Sequence, residues 1–217
     1  ILDQFIAYQD KVEQAFNWLD EAQRYNQEAG VGKRYVSPFA SSGASLKAQR
    51  IVYEGGFDCF LRDFDLWDPF DSIIGRTDYV VGDCKYRPQD FSTYLNTVRN
   101  VALLFLLHFT MQRRSELESL RSDCFLVEKD EKLGSIGMIV GETTKTEQDS
   151  DARWVVPLYA RKAVEAASFI ARLRMRHFPE KPEQLRNNPY LATPGGEPWQ
   201  GGQRPSQDKV ILNNFLF

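Results

Sequence analysis

Thr110-Met-Gln-Arg-Arg-Ser-Glu-Leu117 is the stretch on which the reading of this chain turns. It is preceded by Val101–Phe109, where nearly every position is apolar, and a helix that becomes hydrophobic all round is expected to enter a core. That helix begins near Asp90, with Phe91, Tyr94, Leu95, Val98, Ala102 and Phe105 on one side. Ser115-Glu-Leu-Glu118 has the spacing of a capping box, in which a hydroxyl and a carboxylate satisfy the unpaired amides of a helix start. Arg113 is thereby expected just before a helix N-terminus, where amide dipoles favour an anion.

Working outward, Cys124–Glu128, Ser135–Val140 and Arg153–Leu158 read as three short strands. Lys129-Asp-Glu-Lys-Leu-Gly134 is a hairpin turn between the first two, and the polar run Glu142–Ala152 joins the last two. Ala160–Phe178 reads as another amphipathic helix, spaced through Val164, Ala167, Ile170, Ala171 and Arg174, and Pro179 ends it. The tail from Asn187 to Gln207 is loop-like by its glycine, proline and asparagine content.

This order resembles the catalytic domain of the tyrosine recombinases, the phage-integrase family of site-specific DNA recombinases. Their first catalytic arginine lies in a Thr-Gly-x-Arg-x-Ser-Glu-Leu motif after a buried helix, followed by Leu-x-x-x-Asp and a three-stranded sheet. Thr110, Arg113, Ser115, Glu116, Leu117, Leu120 and Asp123 stand at the matching positions. The family's catalytic lysine, often within Thr-Lys-Thr before a strand ending in Val-Pro-Leu, is matched by Thr144-Lys145-Thr146 and Val156-Pro157-Leu158. The match covers residues 90–160 closely and 160–217 loosely. The motif's glycine is Met111 here, and neither histidine begins a His-x-x-Arg motif. Tyr190 precedes a segment that comes before the family's nucleophile, so no residue matches the attacking tyrosine, and the chain by itself is expected not to cleave DNA.

The resemblance implies an α+β, mostly helical fold with a small three-stranded antiparallel sheet and a helical N-terminal extension. It implies double-stranded DNA as partner, self-association on that DNA, and strand transfer through a 3′-phosphotyrosyl link in a longer parent, with no metal or other cofactor. In such chemistry a guanidinium clamps two non-bridging phosphate oxygens, and a lysine on a hairpin protonates the departing 5′-oxygen as general acid. Arg113 and Lys145 take those roles, Glu116 and Asp123 support them, and Arg114, Thr144, Thr146, Arg172 and Arg176 are candidates for DNA contact.

Each assignment has a simpler competitor. Arg113 or Arg114 pairs with Glu116 or Glu118 on a helix face. Lys145 is an exposed hairpin lysine, and Glu147, Asp149 and Asp151 beside it repel phosphate. Arg172, Arg174, Arg176 and His177 form a basic helix end that complements the helix dipole. His108 is a core histidine. A second function class is therefore kept: a non-catalytic DNA-binding or protein-interaction module that retains the recombinase fold.

The rest of the chain carries no motif that aligns with the family. Leu2, Phe5, Val12, Phe16 and Leu19 mark one amphipathic helix over 2–29, stopped near Gly30 and Gly32. A second helical segment spans about 45–64, weakened at Gly55-Gly56, and an irregular connection follows to Pro88. The resulting division is 1–36 as helical extension, 37–89 as helix and connection, and 90–217 as partial catalytic domain. A net charge of −3 means that any DNA-binding surface must be local rather than global. Cys59, Cys84 and Cys124 are read as reduced, buried thiols of a cytoplasmic protein, at no zinc-like spacing from a histidine. No apolar run approaches the ~18 residues of a membrane span. The chain opens without methionine and ends on the apolar Val210–Phe217, which reads as a piece of a longer polypeptide.

Overall fold

The computed structural model describes residues 1–26, 28, 37–39, 49–75, 84–142, 151–176 and 178–192. It is a mostly helical α+β fold with one three-stranded antiparallel sheet. The helices are α1 (Leu2–Ala7), α2 (Gln9–Asn26), α3 (Gly56–Asp63), α4 (Trp67–Ile74), α5 (Pro88–Thr110), α6 (Arg114–Glu118), α7 (Ala160–Met175) and α8 (Glu183–Asn187). The strands β1 (Phe125–Asp130), β2 (Gly134–Glu142) and β3 (Asp151–Val156) lie between α6 and α7. The described residues fall into two compact units: Ile1–Ile6 with those from Thr97 onward, and those within Ala7–Asn96. The boundary lies inside α5. None of the described helices is long and apolar enough to cross a membrane.

The unit within Ala7–Asn96 is built on aromatic rings. Trp18 meets Tyr53 edge-on at 4.9 Å, Phe39 meets Phe57 at 5.3 Å, and Phe70 packs on Tyr86 at 5.0 Å and Tyr94 at 5.2 Å. Such edge and offset pairs add to the burial of large apolar area. The fully buried Asn26 fastens α2 to this core, since its Oδ1 accepts the amides of Arg50 (2.7 Å) and Ile51 (2.8 Å). The helix expected over 45–64 is confined to Gly56–Asp63 among the described residues, because Gly55 and Gly56 both hold left-handed backbone, at φ +82° and +74°. A Cβ at Gly55 would lie 2.6 Å from Cys59 Sγ, and one at Gly56 2.8 Å from Cys84 Sγ. Both thiols are free and half-buried rather than buried; only Cys124 is enclosed.

The irregular connection contains a helix the sequence reading left out, α4. Pro69 sits in its first turn, where the missing N–H costs nothing, and left-handed Gly75 ends it. Asp71 on α4 then binds Lys85 Nζ at 2.5 Å and the Tyr86 hydroxyl, while Asp58 on α3 accepts the amides of Lys85 (2.6 Å) and Tyr86 (2.9 Å). Arg62 stacks on Trp67 at 4.0 Å.

In the other unit, α1 is separate from α2, so the single helix expected over 2–29 is two. Phe5 packs edge-on against Phe169 at 5.8 Å, and Asp3 accepts hydrogen bonds from Tyr159 (2.6 Å) and Lys162. The face of α7 bearing Ala160, Ala163, Ala166, Ala167 and Ile170 is buried, and its small side chains allow close backbone approach. The sheet has order β1-β2-β3, with Leu126 opposite Met138 and Met138 opposite Val155. The alternate residues Ile139 and Val156 are buried, whereas Leu126 and Val155 are exposed and the Glu128–Arg153 ion pair (2.7 Å) lies on their side of the sheet. Asp130 Oδ1 caps the amides of Lys132 and Leu133, and Gly134 at φ +79° completes the expected hairpin turn.

The apolar end of α5 departs from expectation. Val98, Ala102 and Leu106 are fully buried, but Leu104 is 64% exposed and Phe109 39%, and His108 lies exposed against the Phe109 ring at 5.1 Å. The helix thus keeps one open apolar face, and His108 is not a core histidine.

The Asp71 contacts make a pH-dependent contribution. Hydrogen bonds from Lys85 and Tyr86 hold the Asp71 carboxyl below its ordinary 3.8. The contribution is present in full above the unfolded pKa and is lost as pH falls through the lower folded value. Asp71→Asn should lower the thermal midpoint at pH 7, and the deficit should shrink in melts taken below pH 3.8. A deficit that is constant with pH would show that the charge is not what Asp71 contributes.

Candidate functional site

The candidate site is built at the end of α5. Thr110 is buried; its hydroxyl donates to the Leu106 carbonyl at 2.8 Å and accepts the Gln112 amide at 3.4 Å. The Met111 amide closes the last helical bond to Leu107 O at 3.0 Å, and Met111 itself holds φ +52°. This is the left-handed helix terminator normally given to glycine. Met111 occupies the motif position where the resemblance expects glycine, with its side chain 79% exposed.

That reversal sets where the next helix starts. Arg113 has extended backbone (φ −70°, ψ 156°) and precedes α6, so Glu116 is the third helical residue. The Arg113 amide donates to Glu116 Oε2 at 2.7 Å, while Glu116 Oε1 lies 3.9 Å from Arg113 Nη1. The capping carboxylate is thus Glu116, not Glu118 as the Ser115 spacing suggested, and Ser115 falls inside the helix. Glu118 instead takes Arg114 Nε at 2.7 Å. The two arginines therefore differ. Arg114 is 80% exposed and reaches Glu118, itself 12% exposed, at 2.7 Å, whereas Arg113, 53% exposed, has its backbone amide held at the helix start by Glu116 and its guanidinium 3.9 Å away. Glu116 is also the anion that occupies the helix start.

Beyond α6 the turn 120–123 is clamped from two sides. Asn188 Oδ1 accepts the Ser122 hydroxyl (2.8 Å) and the Asp123 amide (3.2 Å), and the Leu191 amide donates to Leu120 O (2.9 Å). Arg121 lies over the Tyr190 ring at 4.7 Å, and Ser168 on α7 donates to Ser122 O at 3.2 Å. This fixes the backbone of Asp123, whose side chain is exposed. It also gives Tyr190 a structural role that sequence reading had not assigned. Next to Asp123, burial pushes the Cys124 thiol up to about 12, so it is no nucleophile.

Thr144, Lys145 and Thr146 lie outside the described residues. The strands on either side are described, and they stay paired up to Glu142 opposite Asp151. At this end of β2 a Cβ on Gly141 would meet Leu120 Cδ2 at 2.8 Å, so the loop-bearing end of the hairpin rests just beyond α6. On α7 and at its end, Arg172 and Arg176 are exposed but Arg174 between them is buried. The basic helix end is thus two arginines wide among the described residues, and His177 lies outside them. Gln112 was not singled out by sequence, yet it is buried, and neither atom of its carboxamide finds a partner among the described residues. No three of the described His, Cys, Asp and Glu side chains gather as metal ligands.

No family model, curated protein or solved structure matches the chain. The arrangement itself offers one half-open guanidinium 3.9 Å from a buried carboxylate, on a backbone fixed at a helix start. A guanidinium so placed can neutralise a phosphate oxygen at the surface.

Because left-handed backbone is strained for any residue with a Cβ, Met111→Gly should stabilise this unit by roughly 0.5–1 kcal/mol. Urea unfolding of both proteins checks this; a Gly variant less stable than the parent would mean that the exposed Met111 side chain has an apolar partner.

Proposed function

We propose that the chain is part of a DNA strand-transfer domain of the tyrosine-recombinase kind, acting on duplex DNA, with Arg113 as the phosphate-clamping residue and Lys145 as the general acid. The observation that carries the reading is the joint spacing of Arg113, Glu116, Asp123, Lys145 and Val156-Pro-Leu. The order of elements supports it: a core helix, a left-handed break at the motif's glycine position, a short helix starting at Arg113, and an antiparallel sheet in sequential order. Glu116 has a physical role on this reading, since it holds the backbone of Arg113 while its second oxygen faces the guanidinium. Self-association on DNA belongs to the same proposal.

A second reading, a module that keeps this fold without its chemistry, is favoured by one specific feature. Besides Arg113 with Glu116, three basic groups among the described residues of this unit face carboxylates: Arg114 with Glu118, Arg153 with Glu128 and Lys162 with Asp3. Such pairs leave less positive charge for phosphates.

The salt dependence of duplex binding separates the two. Each phosphate neutralised adds about 0.9 to the slope of log affinity against log salt. On the recombinase reading the slope is steep, and Arg113→Ala weakens binding and lowers the slope by about one, whereas Arg114→Ala changes affinity much less. A flat slope, or equal losses from Arg113→Ala and Arg114→Ala, would move the assignment to the second reading.

A further inference from the structure

Two of the three free cysteines meet one short step of backbone in the unit within Ala7–Asn96. Gly55 and Gly56 are consecutive, and both hold left-handed backbone. Cys59 Sγ, one turn further along α3, lies 2.6 Å from where a Cβ on Gly55 would stand, and Cys84 Sγ lies 2.8 Å from the same position on Gly56. Each sulfur is thus seated against one of two residues whose Cα atoms are only about 3.8 Å apart. A side chain at either glycine would press on the sulfur, so this approach needs glycine twice. A second set of contacts brings the same two stretches together. Asp58, next to Cys59, accepts the amide of Lys85, next to Cys84, at 2.6 Å, and that of Tyr86 at 2.9 Å. Cys59 and Cys84 are both half-buried, whereas Cys124 is enclosed.

Two free thiols held against one backbone step, each with part of its residue in solvent, meet the needs of thiol–disulfide exchange: access for a small reagent and a second thiol to complete the reaction. We propose that Cys59 and Cys84 form a reversible dithiol site that reacts with low-molecular-weight disulfides of the glutathione class. The thiolate of one cysteine attacks a sulfur of the small disulfide; that S–S bond breaks, one small thiolate leaves and a mixed disulfide remains. The thiolate of the other cysteine then attacks the protein sulfur, which forms the Cys59–Cys84 bond and expels the second small thiolate. The protons of the two cysteines pass to the departing thiolates. Two protein thiols and one small disulfide thereby become one protein disulfide and two small thiols. Rotation of the two side chains about χ1 is the movement that the second step requires. The bond would tie α3 to the chain entering α5 and close the loop between positions 59 and 84, adding to the hold that Asp58 has on Lys85 and Tyr86.

The test incubates the folded, full chain with oxidised glutathione, blocks the remaining thiols by alkylation and maps the peptides by mass spectrometry. A peptide pair joined through Cys59 and Cys84 is expected, with Cys124 alkylated only after unfolding, since burial pushes its thiol up to about 12. The joined protein should melt above the reduced one, and dithiothreitol should return it to the reduced midpoint. Single variants test the second step. Without a thiol to complete the exchange, Cys84→Ser should accumulate glutathione on Cys59, and Cys59→Ser on Cys84, where the wild type retains none. Glutathione retained on both cysteines of the wild type, no reaction at either, or a Cys59–Cys84 link that forms only in urea would overturn the site. So would a joined protein that melts below the reduced one.

Discussion

The candidate site depends on the way the chain leaves α5. Thr110 ties its hydroxyl back into the helix, Met111 turns left-handed, and Arg113 is left extended with its amide on the Glu116 carboxylate. These contacts determine which arginine stands at the start of α6 and which one pairs away along the surface. If Met111 stayed in right-handed helical backbone, α5 would run on through the arginines, and Arg113 would be one more helical side chain. The strain at Met111 is stored where the candidate chemistry lies, which is where proteins tend to keep it.

The same unit shows how local charge can differ from net charge. The chain is acidic overall, and Arg153 on the sheet and Lys162 on α7 are each answered by a carboxylate. Arg113 is also answered, but at 3.9 Å and by a carboxylate that is spending its other oxygen on a backbone amide. The backbone of Arg113 is thus fixed while its guanidinium remains half open to meet an anion.

How far the sequence carried the account varies with the signal. The three strands and their antiparallel order were legible, because apolar runs alternate with turn residues and Asp130 and Gly134 have the chemistry the hairpin needs. Strand ends shifted by one or two residues, as the β1 pairing runs on to Asp130 and β3 ends at Val156 before Pro157. The helix over 45–64 was overextended because two consecutive glycines were read as a weakening rather than as left-handed backbone. Helix α4 was hidden by Pro69 and Gly75, which punctuate its two ends rather than exclude it. The capping box was displaced by two residues because a methionine gives no sign of adopting positive φ. Exposed Leu104 and Phe109, and buried Arg174, run against residue type altogether; only tertiary packing decides them. Thr144, Lys145 and Thr146 lie outside the described residues, so the sequence alone speaks for that half of the site.

The central claim is that Arg113 and Lys145 act on one phosphate. A double-mutant cycle on duplex DNA affinity tests it most directly, with Arg113→Ala, Lys145→Ala and the double variant measured at one fixed salt concentration. Residues that share a phosphate are coupled, so the double variant should lose less than the sum of the single losses, by on the order of 0.5 kcal/mol or more. Strictly additive losses, or a Lys145→Ala variant that binds like the wild type, would contradict the account.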